Sequence, residues 1–213
     1  MSYADLVHIR EETITANTFG MIETNWHWVK SDHGAFEGPK YDWQNDHSIK
    51  FFKYLKKQDV VVTAGACCGM YVRFYARLFK RVYAFEPDPL SFHCMVNNAQ
   101  YDNVIKLNAA LGKENGLVNI QRGNGDNVGT HTVEPGNMIP VFALDTLKLD
   151  ACDLIQLDVE GYEMNVLEGA IDTIQKFWPV ITAENGHKCE EFLVKLGYVG
   201  VDQSVSDKVF AKP

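Results

Sequence analysis

The chain has 213 residues, of which 46% are hydrophobic and 23% charged. This is ordinary usage for a soluble globular domain and excludes disordered, collagenous and coiled-coil classes. Twenty Lys+Arg against 28 Asp+Glu leave a formal net charge of −8, which disfavours a phosphate backbone as partner, and no stretch approaches the ~20 apolar residues of a membrane-spanning helix.

In chain order, residues 1–50 are weakly periodic and rich in aromatics, including Trp26, Trp28, Tyr41 and Trp43. They are expected to form an arm or lid packed on a core domain at 51–213. The start, MSYADLVHIREE, lacks the apolar core of a signal peptide. His47–Lys57 has helical spacing, with Ile49, Phe52 and Leu55 on one face.

From Asp59 a regular rhythm begins. VVVTA (Val60–Ala64) reads as a buried strand, GACCG (Gly65–Gly69) as a turn, and Met70–Phe79 as a helix. Arg73, Arg77, Lys80 and Arg81 read as its solvated basic face. RVYAFEP (Arg81–Pro87) is a second strand. Asp88 is a good N-cap for a helix over Pro89–Gln100, with proline at the favoured first position.

Val104–Leu111 and Leu117–Gly123 are further strands, and the Gly-, Asn- and Asp-rich Gly123–Gly136 is loop. Leu154–Gly161 is a strand ending in acids, followed by a helix from Tyr162 to about Phe177. Pro179–Gly186 repeats the pattern, His187–Leu196 is a helix, and YVGVDQS with DKVFAKP closes the chain as a hairpin. Apolar strands alternating with helices require a parallel sheet covered on both faces. The expected fold is α/β: a doubly wound three-layer sandwich around a mostly parallel seven-stranded sheet with an antiparallel C-terminal hairpin.

In such a sheet the ligand lies beyond the carboxyl ends of the strands. The first strand ends in a glycine turn, which lets backbone approach a ligand closely. The second ends in Glu86, about 20 residues on, where an acid accepts hydrogen bonds from both ribose hydroxyls of a nucleoside cofactor. Asn108, Ala109 and Ala110, at the third strand end, leave room for a flat base. Asp158, Glu160 and Glu163 crowd the fourth, with Glu163 assigned to the helix start. Glu184 and Asn185 end the fifth, so Asp158, Glu184 and Asn185 converge as hard oxygen ligands for a divalent ion such as magnesium or manganese. Asp158, Glu160 and His187 are the candidate general bases. Cys67, Cys68, Cys94, Cys152 and Cys189 are odd in number and contain no CxxC, which points to reduced thiols in a cytoplasmic protein rather than to zinc or disulfides.

With AFEPDPLSF, LIQLDVEGYEMNVLEGA and PVITAEN in hand, the segment from about Val60 to Asn185 resembles the FkbM-like family of S-adenosylmethionine-dependent methyltransferases, of the class I methyltransferase fold. The resemblance implies methyl transfer to a hydroxyl oxygen of a sugar or polyketide-type product. It assigns Gly65, Ala66 and Gly69 to the methionine moiety of the cofactor, Glu86 to its ribose and Asn108, Ala109 and Ala110 to its adenine, with Cys67 and Asp158 also counted among the cofactor-binding residues. The Asp158, Glu184, Asn185 set is also similar to the metal site of catechol O-methyltransferases, where an ion binds two neighbouring substrate oxygens. The first expected acceptor is the 2-hydroxyl of a rhamnose- or fucose-like residue in a glycan. Thr63 stands where the family usually has an acid, and Cys67 where it usually has Asn.

Three alternatives follow from the same residues. They are metal-free O-methylation of a natural product, a catalytically silent cofactor- or glycan-binding module, and a nicotinamide-dependent oxidoreductase, which would require GxGxxG where this chain has GxxxG.

Overall fold

The computed structural model describes residues 7–11, 25–30, 51–123, 127–203 and 207–213. Among these, the strands form three sheets. The first is a hairpin of β1 (Val7–Glu11) and β2 (Asn25–Val29). The central sheet joins β3 (Val60–Ala64), β4 (Arg81–Phe85), β5 (Val104–Leu107), β10 (Leu154–Leu157), β11 (Val180–Glu184), β12 (Val199–Gln203) and β13 (Asp207–Ala211) in the order β12-β13-β11-β10-β3-β4-β5. The five strands from β11 to β5 are parallel, while β13 and β12 run antiparallel at one edge. This is the expected seven-stranded, mostly parallel α/β fold with its C-terminal hairpin.

Period-two alternation explains the two covered faces. Val62, Ile155 and Ile181 point into one core, with Leu167, Ile174 and Leu193 from helices α3 (Glu163–Glu168), α4 (Ile171–Phe177) and α5 (Glu190–Lys195). Val61, Val82 and Leu154 point into the other, with Val72, Tyr75 and Met95 from α1 (Met70–Ala76) and α2 (Pro89–Asn98). Each of the larger side chains contributes roughly 1.5–3 kcal/mol by leaving water. No described helix is long and apolar enough to cross a membrane.

Several expectations are corrected. Val104–Leu111 is two strands: β5 stays in the central sheet, and β6 (Ala110–Leu111) leaves it to pair with β9 (Ile139–Phe142). The strand expected at Leu117–Gly123 is β7 (Gly116–Gln121), which pairs antiparallel with β8 (Thr132–Pro135) and β9 in a separate four-stranded sheet. β8 therefore lies inside the stretch read as loop. The helix expected over Tyr162–Phe177 breaks into α3 and α4 at Gly169, where a Cβ would stand 1.9 Å from the Gly112 carbonyl oxygen. That close approach needs glycine and bends the chain. The helix expected from His187 begins as a 3-10 turn (Gly186–Lys188), and α5 starts at Glu190.

The basic stretch is not a solvated face. Arg73 is 1% exposed, its guanidinium 4.7 Å above the Trp26 ring. Arg77 donates to the Tyr101 hydroxyl at 2.7 Å, and Arg81 lies on β4. Of this group only Lys80 is fully solvated, bridged to Asp59 at 2.6 Å.

Of the N-terminal arm, β2 packs on α2. Asn98 fixes it, accepting the His27 amide at 2.7 Å and donating to the His27 carbonyl at 2.8 Å. Trp26 and Trp28 are 4% and 6% exposed, packed against Cys68, Cys94 and Val128. Neither ring presents a free face to an acceptor here. Tyr41 and Trp43 lie outside the described residues, as does the start of the His47–Lys57 helix.

Candidate active site

The carboxyl ends of β3, β4 and β10 meet at one edge of the sheet, where every strand releases its next side chain at the same height. Gly65 turns the chain there at φ 78, and a Cβ on it would lie 1.7 Å from the Asp158 carbonyl oxygen. The glycine lets the turn after β3 lie against the end of β10.

A cavity of about 70 Å³ opens at this edge. Gly65, Cys67, Glu86 and Asp158 line it from the central sheet, with Ala110 and Leu111 from β6 and Tyr162 from the α3 N-cap. Ile120, Val128, His131 and Val133 cover it from the insertion between β6 and β9. Ala66 and Gly69 lie in the turn without lining the cavity; Ala66 is buried in the α1–α2 core and Gly69 caps α1.

Glu86 is buried. Its Oε2 accepts the Cys67 amide at 2.7 Å and its Oε1 the Asp88 amide at 2.8 Å. Burial pushes its carboxyl up to about 8, against the pull of those two amides. Each oxygen keeps a lone pair for a ribose hydroxyl. Asn108 does not line the cavity. Its amide donates to the carbonyls of Glu86 and Pro87 at 2.9 and 3.0 Å, so it shapes the strand end that presents Glu86. Ala109 is buried in the core and Ala110 lines the cavity.

Asp88 ties the insertion to the site. It caps α2 through the Leu90 and Ser91 amides, and its Oδ2 is 3.0 Å from Arg122 Nε and 3.2 Å from His131 Nδ1. Burial opposes the charge, but the bonds from His131, the Leu90 amide and Arg122 prevail and hold the carboxyl well below its usual range. The tether therefore holds in place the Val128–Val133 segment that covers the cavity.

The acids gather at the far strands. Asp158, Glu160 and Glu184 can each offer an oxygen within 4.8 Å of the others. Burial first, then Glu184, pushes the Asp158 carboxyl well above its ordinary value. Burial, Glu184 and Glu163 push Glu160 up to about 7. Glu160 sits at φ 52 and Asn185 at φ 51, left-handed backbone of the kind concentrated at functional sites. Glu163 begins α3 as expected, its Oε1 accepting the Gly161 amide at 3.1 Å.

Two neighbours escaped the sequence reading. Asp207 lies opposite Glu184 in the antiparallel register of β13, a pairing that a strand 23 residues later does not announce. Tyr71 on α1 stays protonated, raised by burial and then by Asp207, Asp158 and Glu184. His187 is exposed on its 3-10 turn and does not line the cavity. Thr63, where the resemblance expects an acid, is fully buried and hydrogen-bonded to Gln156.

Comparison with known proteins adds three findings. The methyltransferase FkbM domain model matches residues 59–199. Among solved structures the chain is similar to a methyltransferase FkbM from Methylobacillus flagellatus, at 16% identity and a TM-score of 0.50, over 72% of this chain and 43% of that one. It is also similar to a precorrin 8w decarboxylase from Methanobacterium thermoautotrophicum, at 14% identity and a TM-score of 0.53, over 86% and 97% of the two chains. These likenesses carry the class I Rossmann-like methyltransferase fold. No curated protein matches.

Proposed function

The chain belongs to the FkbM methyltransferase domain family, and from that premise we propose that it transfers the methyl group of S-adenosylmethionine to a sugar hydroxyl, with the 2-hydroxyl of a deoxyhexose such as rhamnose or fucose as first candidate. One observation carries the reading: a single cavity is lined both by Glu86 and by Asp158, the first acid of the carboxylate cluster. A methyl donor held by its ribose at Glu86 has the acids as neighbours.

Within this reading each group of the chain has a task. Glu86 accepts the ribose hydroxyls, and Phe85, Leu111 and Val133 exclude water from the reacting atoms. Asp158, Glu160 and Glu184 would hold a divalent ion, Glu160 joining Asp158 and Glu184 of the expected set, whose third member, Asn185, is next in the chain. The donor set fits, being made of hard oxygens, and the buried Oε2 of Glu184 has no hydrogen-bond partner. When bound, the ion supplies Lewis acidity to the acceptor oxygen.

A metal-free reading has its own support. Glu160, pushed up to about 7, is matched to accept a hydroxyl proton near neutral pH. The two readings separate in one assay: transfer of label from S-adenosylmethionine to a panel of deoxyhexose glycosides, with and without EDTA. Transfer abolished by EDTA and restored by magnesium or manganese supports the ion; transfer unaffected by EDTA supports Glu160. Cofactor binding with no transfer to any acceptor would point instead to a silent binding module.

A further inference from the structure

Three thiols meet beside the cofactor turn. Cys67 lines the cavity, whereas Cys68 and Cys94 are fully buried behind it. Cys68 packs in one cluster with Cys67, its neighbour in the turn, and Cys94, on α2, and burial followed by those two thiols raises its own thiol well above the usual range. All three pack with Trp26, Trp28 and Val128.

The backbone holds them in register. Asn98 lies one turn after Cys94 on the same face of α2, and its Nδ2 donates to the Cys68 carbonyl at 2.8 Å. The next residue, Gly69, approaches so closely that a Cβ there would stand 3.2 Å from the Met95 Cα. Cys67 has φ 47, a conformation that glycine and asparagine adopt far more readily. Backbone preference therefore does not account for a cysteine at that position.

We propose that this cluster is an oxidation-responsive site, in which peroxide entering the cavity at Cys67 leads to a Cys68–Cys94 disulfide that detaches the cofactor turn from Glu86. The consequence for cofactor rests on the cavity being the cofactor site; the chemistry of the cluster does not. Hydrogen peroxide converts the Cys67 thiol to a sulfenic acid and releases one water. Cys68 attacks that sulfur, and the hydroxyl leaves as a second water with the Cys68 proton, closing a Cys67–Cys68 disulfide. Cys94 then attacks the Cys68 sulfur, and Cys67 departs and takes up the proton that Cys94 loses. The sum is two thiols and one peroxide to one disulfide and two waters.

A Cys68–Cys94 bond requires the two sulfurs to close to about 2.05 Å. Because Gly69 already abuts Met95, the turn cannot slide toward α2 and must pivot. Pivoting lifts the Cys67 amide from the Glu86 Oε2, where it now sits at 2.7 Å.

The test exposes the full chain to hydrogen peroxide, with and without S-adenosylhomocysteine, followed by thiol titration, peptide mapping and calorimetry. The expected result is the loss of two titratable thiols, a Cys68–Cys94 linked peptide, and a ~tenfold or greater loss of S-adenosylhomocysteine affinity that dithiothreitol reverses. Prior S-adenosylhomocysteine should slow the cross-link by shielding Cys67. Cys94→Ala and the more conservative Cys94→Ser should both fail to form it. An unchanged thiol count, a bond between other cysteines, or a cross-link that leaves affinity unchanged overturns the proposal. Should the reduced chain bind no S-adenosylhomocysteine, the cofactor reading fails, while the peptide map still decides whether the bond forms.

Discussion

Asp158 and Glu184 leave adjacent parallel strands side by side, and each offers a carboxylate oxygen within 4.8 Å of the other. Two carboxylates so placed cannot both ionise without a compensating cation. The pair holds a proton in the free chain or gives it up to a bound positive charge.

The first prediction concerns that choice. With an ion at Asp158, Glu160 and Glu184, EDTA abolishes methyl transfer, magnesium or manganese restores it, and Asp158→Asn stays inactive at every ion concentration. Adding the ion to the free chain should also release protons, which a weakly buffered titration detects. Full turnover in excess chelator would assign the proton transfer to Glu160 without an ion.

A second prediction follows from the raised carboxyls. Glu86 is pushed up to about 8 and Glu160 to about 7, both above their unfolded values. A group raised on folding contributes stability that is fully present below the unfolded pKa, near 4.5, and is lost as pH rises through the folded value. The free chain should therefore lose about 3 kcal/mol between pH 6 and pH 9, most of it from Glu86, seen as a Tm lower by roughly 6–12 °C. A Tm that holds or rises across this window would show that neither carboxyl titrates there.

These features were unevenly legible in the sequence. The buried parallel strands read directly, because strands covered on both faces are apolar almost throughout, as in Val60–Val62 and in Leu154–Leu157 with Gln156 its one polar residue. The small second sheet did not. Its strands are short and half solvated, with Leu117 50% exposed, and the turn-forming residues around β8 mask it. Glu86 and Asp158 could be found because they end strands. Asn108 ends one too, but its amide serves the backbone, and sequence position alone does not distinguish a group aimed at a ligand from one spent on a carbonyl.

Third, the N-terminal strand. Asn98→Ala removes both bonds to His27 and leaves buried backbone groups unpaired. It should cost about 2–3 kcal/mol in denaturant unfolding. Trp28→Ala should cost about 3–5 kcal/mol. If the tryptophans instead serve as a sugar platform, these variants keep their stability and raise only the acceptor KM.

Fourth, the tether at Asp88. Asp88→Asn keeps a good helix cap but weakens the hold on Arg122 and His131. S-adenosylhomocysteine should dissociate several-fold faster, at the ~1–2 kcal/mol scale of a charge-assisted bond, and proteolysis between Arg122 and His131 should quicken. Unchanged dissociation would show that the Val128–Val133 segment does not gate the cavity.

The most direct test of the methyl-donor site is a calorimetric titration of S-adenosylhomocysteine into the wild-type chain and Glu86→Ala. Losing a buried, bidentate acceptor should cost about 1.5–3 kcal/mol, or roughly 10–150-fold in affinity. Equal affinity in the two proteins would reject Glu86 as the ribose ligand, and wild-type binding of NAD without S-adenosylhomocysteine would contradict the account as a whole.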